Sequence, residues 1–155
     1  MIIYHPAYDI YHTSLRILRI IGISKTDCIE LERIRIIDFI TLFPHEMQRI
    51  RMPMDFASLK RKHKETSYNR IGNKIKVYRQ MQDYFQLAMQ CLISYGAIDL
   101  EKYKDGLVCK TAKVDDVLKR VMEVSPFPDI EIKLFIENSF LTIPLDELKQ
   151  RTNLF

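Results

Sequence analysis

The chain has 155 residues, of which 47% are hydrophobic and 28% charged, and its formal net charge at pH 7 is +4. An apolar fraction of this size supports the core of one folded domain, so the composition excludes intrinsic disorder as the main state. The sequence contains no apolar run that matches a signal peptide or a membrane span. We therefore expect a cytoplasmic protein with no membrane contact.

The first half of the chain carries apolar residues at helical spacing, interrupted by one short apolar run. The predicted elements are, in order, a helix over 6–21, a strand over 28–31 and helices over 32–43, 44–50 and 56–65. Gly22 is expected to stop the first helix, and Pro44 to stop the second. Asp55 is the expected N-cap of the helix over 56–65.

The second half of the chain starts with a polar loop over 67–73 and continues with an amphipathic helix from Tyr78 to Tyr95. Gly96 is expected to end this helix as a left-handed cap. Alternating residues from Ile98, followed by turn residues and a second apolar run, predict a β-hairpin over 98–109. Three helices are predicted after it, over 114–124, 130–140 and 144–151.

This order of elements is typical of a winged-helix domain. We expect a mainly α fold with a small β-hairpin, in which residues 1–112 form a winged-helix-like domain and residues 113–155 a C-terminal helical extension that packs on the core or on a partner. The helix from Tyr78 to Tyr95 precedes the predicted hairpin, which is the position of the recognition helix in a winged-helix domain. After Arg79 its only charged residue is Asp83, so we expect it to be buried or to contact protein rather than to read bases.

Positive charge is concentrated between Arg49 and Arg79, where the chain has ten Lys and Arg residues and only two acidic ones. This basic segment predicts non-specific contact with DNA phosphates. The alternatives are a solvated helix face or mobile loop, and docking on an acidic protein surface. The expected phosphate-contacting residues are Arg49, Arg51, Lys60, Arg61, Lys62, Lys64, Arg70, Lys74, Lys76 and Arg79.

The sequence contains no convincing catalytic centre. Its isolated glycines form no phosphate-binding loop, and no hydrolase or metalloprotease motif is present, so an ATPase activity of this chain alone is excluded. His5, Asp9 and His12 have a spacing compatible with a divalent metal. An N-terminal cap within a cluster of tyrosines explains these residues better, so we expect no metal and no cofactor.

One carboxylate is expected to lie in the core. Asp38 stands among apolar residues of the second predicted helix, where it needs a cationic partner. The candidate partners are Arg16, Arg19 and Arg35. We therefore interpret Asp38 as half of a structural ion pair rather than as a catalytic acid.

The three cysteines are too few and too widely spaced for a disulfide scaffold, so a reducing setting is the default. Cys91 lies on the apolar face of a predicted helix and Cys109 on a predicted strand, and both are expected to be small core residues. Cys28 is expected to be more exposed. Only Lys25 lies near enough in sequence to lower its pKa, so no cysteine nucleophile is predicted.

Three stretches of the sequence carry a resemblance to a known family. They read HPAYDIYHTSLRILRI, IELERIRIIDFITLFPHEMQRIRM and QLAMQCLISYGAID, and the most telling parts are Asp9 to His12, Arg33 to Phe39 and the break at Phe43 and Pro44. Over residues 2–100 the chain resembles the small middle component of bacterial three-component ABC/SMC-type defence systems, the group that includes the Lamassu accessory subunit.

The resemblance implies a winged-helix-like, non-enzymatic subunit that is encoded beside an SMC-like ATPase and an effector, often a nuclease. We therefore expect an adaptor that bridges these two partners and assists non-specific binding of double-stranded DNA within the complex. The N-terminal and C-terminal helices are expected to dock on a partner, and the expected contact residues are Tyr8, Tyr11, His12, Arg16 and Arg19.

The sequence is also compatible with two other functions. The first is a stand-alone winged-helix transcriptional regulator that reads an operator with the helix from Tyr78 to Tyr95. The second is a small enzyme built on His5, Asp9 and His12, which would contain bound metal.

Overall fold

The computed structural model describes residues 5–155 as a mainly α protein with one two-stranded antiparallel sheet. Its helices are α1 (Ile10–Ile23), α2 (Leu31–Leu42), α3 (Ala57–Lys62), α4 (Lys74–Tyr95), α5 (Leu100–Lys104), α6 (Val114–Val124), α7 (Ile130–Phe135) and α8 (Leu145–Thr152). The strands are β1 (Cys28–Glu30) and β2 (Leu107–Cys109). Short 3-10 helices cover Pro6–Tyr8, Pro44–Arg49 and Met54–Phe56, and a π-helical turn covers Ile136–Phe140. The predicted mainly α class with a small β element is confirmed.

Side-chain caps determine where the two principal helices begin. The carboxylate of Asp9 accepts a hydrogen bond from the His12 backbone N–H at 2.8 Å, so α1 begins after Asp9 and Pro6–Tyr8 forms a separate turn. Asn73 accepts a hydrogen bond from the Lys76 N–H at 2.9 Å in the same way. The helix α4 therefore begins at Lys74, four residues before its predicted start.

Glycines were expected to end both of these helices, but only one of them does. Gly96 ends α4 with a φ of 84°, as predicted, because this left-handed conformation is strained for any residue with a Cβ. Gly22 does not end α1, which continues to Ile23. The side chain of Met122 on α6 lies beside Gly22, so the missing side chain allows α6 to approach α1 closely.

The prediction that Asp55 caps a helix over 56–65 is wrong. Asp55 lies inside the 3-10 turn Met54–Phe56, and α3 follows with Phe56 at its N-cap position and no side-chain cap. The helix α3 has six residues and ends at Lys62. The chain then runs without helix or strand to Asn73.

The core lies between α1, α2 and α4. Helix α1 packs against α2, α4 and α6, and α2 packs against α8. Residues of the C-terminal helices belong to the same apolar cluster as those of α1 and α2; its fully buried members include Ile17, Ile20, Ile34, Phe39, Phe135, Phe140 and Leu148. Each such side chain contributes about 1.5–3 kcal/mol through its removal from water.

The sheet joins two distant parts of the chain. Strands β1 and β2 are antiparallel, with Ile29 opposite Val108. Residues 98–109 differ from a regular hairpin, because the first strand is reduced to a single bridge between Ile98 and Lys110 and is followed by the helix α5. Asp99 then caps the short helix α5 by accepting a hydrogen bond from the Lys102 N–H, which turns the chain before β2.

The state of the cysteines differs from the expectation of free thiols with Cys91 and Cys109 in the core. Cys28 and Cys109 stand opposite each other in the sheet, 4.0 Å apart at their Cα atoms, and form a disulfide although 81 positions separate them in sequence. Cys109 is buried as expected, but its sulfur belongs to this disulfide and is not a free core thiol. Cys91 is not one either, because it is exposed on α4 while Ala88 and Leu92 face the core. Spacing alone could not reveal a strand register that is set by tertiary packing.

Candidate nucleic-acid and partner interface

The basic segment, residues 49–79, runs from the end of a 3-10 helix through α3 and the following loop into the first turns of α4. Eight of its ten cationic residues are exposed, and only Lys60 and Lys74 are half-buried. The fold therefore brings most of the predicted phosphate-contacting side chains to the surface.

Three of the exposed cations form ion pairs within the chain. Glu65 lies 3.3 Å from Arg49 Nη2 and 3.2 Å from Arg70 Nε. Lys62 Nζ lies 2.9 Å from a carboxylate oxygen of Asp129, and the hydrogen bond to Asp129 raises the pKa of Lys62. Exposed pairs of this kind are weak, so phosphates can compete with the carboxylates for these side chains.

The two half-buried lysines support the fold. Lys60 Nζ donates to the Gln48 carbonyl at 3.2 Å, and Lys74 Nζ donates to the Thr152 carbonyl at 2.8 Å. Burial lowers the pKa of Lys74. Lys74 therefore ties the first turn of α4 to the end of α8, and a phosphate contact would have to replace that hydrogen bond.

The other five cations of the basic segment are Arg51, Arg61, Lys64, Lys76 and Arg79. Within residues 5–155, their side chains make no ion pair or hydrogen bond, and all five are exposed. Lys76 and Arg79 lie three residues apart on α4 and share a face of the helix. Free cations of this kind can bind phosphates without breaking any internal contact.

Exposed apolar side chains lie on the N-terminal segment and on one face of α4, and Tyr8 packs against α4. Tyr11 is 69% exposed, and the ring of Tyr8 lies 5.6 Å from that of Tyr84 on α4. Leu87 follows Tyr84 by three residues and Cys91 follows Leu87 by four, so the three residues share one face of α4. Both Leu87 and Cys91 are exposed. We call Tyr8, Tyr11, Leu87 and Cys91 the aromatic surface.

Sequence reasoning missed Leu87 and Cys91 as surface residues. The apolar residues of α4 form two stripes rather than one. Met81, Phe85, Ala88 and Leu92 are buried in the core, and Tyr84, Leu87 and Cys91 form the second stripe. The spacing of Tyr84, Leu87 and Cys91 could have been read from the sequence as a second apolar stripe, separate from the stripe that faces the core.

Two of the predicted partner-binding residues are engaged inside the molecule. Arg16 is only 6% exposed; its Nε lies 2.5 Å from Asp38 Oδ1, and its Nη1 donates to the Pro6 carbonyl at 2.9 Å. The predicted ion pair of Asp38 is therefore confirmed, with Arg16 as the partner. Burial raises the pKa of Asp38, and the charge of Arg16 opposes that rise.

Arg19 makes a second internal contact of this kind. Its Nε donates to the Ser125 carbonyl at 2.8 Å, which ties α1 to the turn after α6, and burial lowers its pKa. His12 is half-buried with its ring edge-on to that of Tyr11. Among the five predicted partner-contacting residues, Tyr8 and Tyr11 are thus the exposed ones.

Two of the three residues with metal-ligand spacing, His5 and Asp9, serve as caps. His5 Nδ1 accepts a hydrogen bond from the Ala7 N–H at 3.1 Å, and its ring stacks on Phe43. Asp9 caps α1. Across residues 5–155, no three His, Cys, Asp or Glu side chains are grouped so that they could hold a metal ion. In the same part of the chain, no helix is both long and apolar enough to cross a membrane.

One comparison with known proteins gives a match. The family model described as "ABC-three component (ABC-3C) system Middle Component 5" matches residues 2–155. No curated protein and no solved structure gives a match. The family match extends through the C-terminal helices, which lie beyond the region that carries the resemblance seen in the sequence.

Proposed function

Because the chain belongs to the family of middle components of ABC-three component systems, we propose that it is a non-catalytic adaptor that joins an SMC-like ATPase to an effector in bacterial defence. The effector class that fits such a system is a nuclease, and the complex would act on DNA in the cytoplasm. The observation that carries this proposal is the presence of two different exposed surfaces, one apolar and one basic, on one small chain.

The aromatic surface is the proposed docking site for a partner subunit. Tyr11 and Leu87 are exposed apolar side chains, and docking would remove them from water. A tyrosine also keeps its hydroxyl available for a polar contact at the rim of an interface. Arg16 and Arg19 contribute indirectly, because their internal contacts hold α1 in place.

The C-terminal helices offer a second apolar region. Val124 at the end of α6 and Ile130 at the start of α7 are 84% and 72% exposed. They flank the short turn that receives the hydrogen bonds from Arg19. We assign this region to the second partner of the adaptor, since two partners need two separate surfaces. Residues 113–155 would then be the extension that reaches it.

The basic segment is the proposed contact with double-stranded DNA. Its free cations are held by no internal carboxylate, so they gain most from neutralising phosphates and releasing counterions. After Arg79 the only charged residue of α4 is Asp83, so no cation accompanies the glutamines of this helix and the contact would be non-specific. The order α1, β1, α2, α3, α4, α5, β2 is similar to that of a winged-helix domain apart from α5, which supports a winged-helix-like arrangement.

Charge reversal of two free cations tests the DNA contact in the assembled complex. The variant Arg61→Glu/Lys64→Glu changes side chains that have no internal partner, so folding and assembly are expected to persist. DNA retention should fall. The salt dependence of binding should decrease by about 0.9 in log–log slope for each phosphate that the variant no longer neutralises.

The matched control is Lys119→Glu/Arg120→Glu, an equal charge change on two exposed residues of α6 outside the basic segment. This control should retain DNA as the unmodified complex does. Equal retention by the Arg61→Glu/Lys64→Glu complex would show that the basic segment is not the DNA contact.

A further inference from the structure

A groove of about 840 Å³ lies beside the basic segment. One wall is formed by residues near the N-terminus and the end of α2, including His5, Tyr8 and Phe43. The opposite wall is formed by the end of α3 and the loop that follows it. Its volume lies within the range of roughly 300–1,000 Å³ found for ligand clefts.

The charge of the groove has one sign. Lys62, Lys64 and Arg70 line it, and no carboxylate does among the residues that the structure describes. Glu65 and Asp129 pair with Arg70 and Lys62, but neither lines the groove. The groove is therefore suited to an anion.

Aromatic rings lie beside these cations. Tyr68, in the loop wall, is 99% exposed, so its ring makes almost no contact within the chain. On the other wall, the rings of His5 and Phe43 are stacked, with centroids 5.8 Å apart and planes at 16°. An anion that also carries flat rings would find partners for both of its parts here.

A second hollow of about 560 Å³ lies on α4, and Lys76, Arg79 and the carboxylate of Asp83 line it. Two features place the hollows side by side. Tyr8 of the first donates to Gln80 of the second at 3.3 Å, and Gly72 of the first precedes Asn73 of the second in sequence. The cations of these two neighbouring hollows therefore offer more phosphate contacts than a single small anion requires.

We propose that this groove binds a single-stranded nucleic acid, with an unpaired base on Tyr68 and the phosphates along Lys64, Lys76 and Arg79. The inference rests on the proposed contact between the basic segment and DNA phosphates, and it adds unpaired strands to the double-stranded DNA proposed above. Bases in a duplex are stacked on one another and cannot reach Tyr68. An unpaired strand can place its bases on aromatic rings while cations follow its backbone.

The test measures the binding of a fluorescent oligothymidine and of a short duplex to the full chain by anisotropy. Tyr68→Ala should weaken oligothymidine binding on the order of tenfold. It should leave duplex binding unchanged, since duplex binding needs the cations alone. Tyr68→Phe keeps the ring and should restore affinity for the single strand.

The matched control is Tyr95→Ala, which removes a ring that is 61% exposed at the end of α4 and lines neither hollow. It should leave both affinities unchanged. Equal oligothymidine affinity in Tyr68→Ala would overturn the inference, and so would equal displacement of the strand by oligoglutamate of the same charge. Loss of duplex binding in Arg61→Glu/Lys64→Glu would still support the proposed function in either case.

Discussion

Arg16 on α1 and Asp38 on α2 form an ion pair that is closed to solvent, with Arg16 Nε 2.5 Å from Asp38 Oδ1. Replacement of Asp38 by Asn keeps the shape of the side chain but leaves the charge of Arg16 without compensation. We expect Asp38→Asn to lower the free energy of unfolding by about 3–5 kcal/mol, as for other broken buried pairs. Urea unfolding followed by circular dichroism measures this.

The double variant Arg16→Met/Asp38→Leu is the control for that experiment. It removes both charges and fills the site with apolar atoms, so it should be much less destabilised than Asp38→Asn. Equal destabilisation of both variants would mean that packing, rather than charge, determines the effect.

The disulfide between Cys28 and Cys109 joins the segment between α1 and α2 to the strand that follows α5. Because it closes a loop of 81 residues, its reduction should lower the free energy of unfolding by about 2–4 kcal/mol. Urea unfolding with and without dithiothreitol measures the difference. Cys91→Ser, which changes an exposed thiol, should show the same dependence on the reductant as the unmodified chain. A Cys28→Ser chain that is as stable as the oxidised protein would contradict this prediction.

Tyr78 carries a buried hydroxyl with no hydrogen-bond partner in the described residues. Its ring packs edge-on against Phe39 and Phe155, and burial raises its pKa to about 12. Since folding removes the hydration of this hydroxyl without supplying a partner, Tyr78→Phe should keep the ring contacts and stabilise the fold by up to about 1 kcal/mol. Thermal unfolding measures the change. A clear decrease in stability would indicate that the hydroxyl has a partner in solution.

Glu30 links stability to pH. The hydrogen bond from Arg33 lowers the pKa of Glu30 below its ordinary value of 4.5, and Arg33 also donates to the Phe140 and Ile143 carbonyls. A carboxyl with a depressed folded pKa stabilises the fold above its unfolded pKa, and this stabilisation is lost as pH falls through the folded value. Unfolding measured from about pH 5 to about pH 3 should therefore show a smaller decrease in stability in Glu30→Gln than in the unmodified chain. Identical pH profiles would contradict this role.

Much of the fold could be predicted because most helices in this chain have a clear apolar period. Gly96 ends α4 as expected, since a left-handed cap is a local property of the chain. The start of α1 could not be predicted as well, because Pro6 and Asp9 are both good start signals and only the capping contact of Asp9 decides between them.

The sites depend more on tertiary structure. The concentration of cations between Arg49 and Arg79 was visible in the sequence, but their division into paired and free side chains depends on carboxylates as distant as Asp129. The pairing of Cys28 with Cys109 depends on a strand register. Arg16 was expected at a partner surface, and only the packing of α1 on α2 places it beside Asp38.

The measurement that tests the adaptor role most directly is co-purification. The tagged chain is expressed with the products of its neighbouring genes, and the recovered complex is analysed by native mass spectrometry. We predict recovery of an SMC-like ATPase in a defined ratio, and loss of one partner when Tyr11→Asp charges the aromatic surface. Recovery of a homodimer alone, with no ATPase encoded nearby, would contradict the adaptor role.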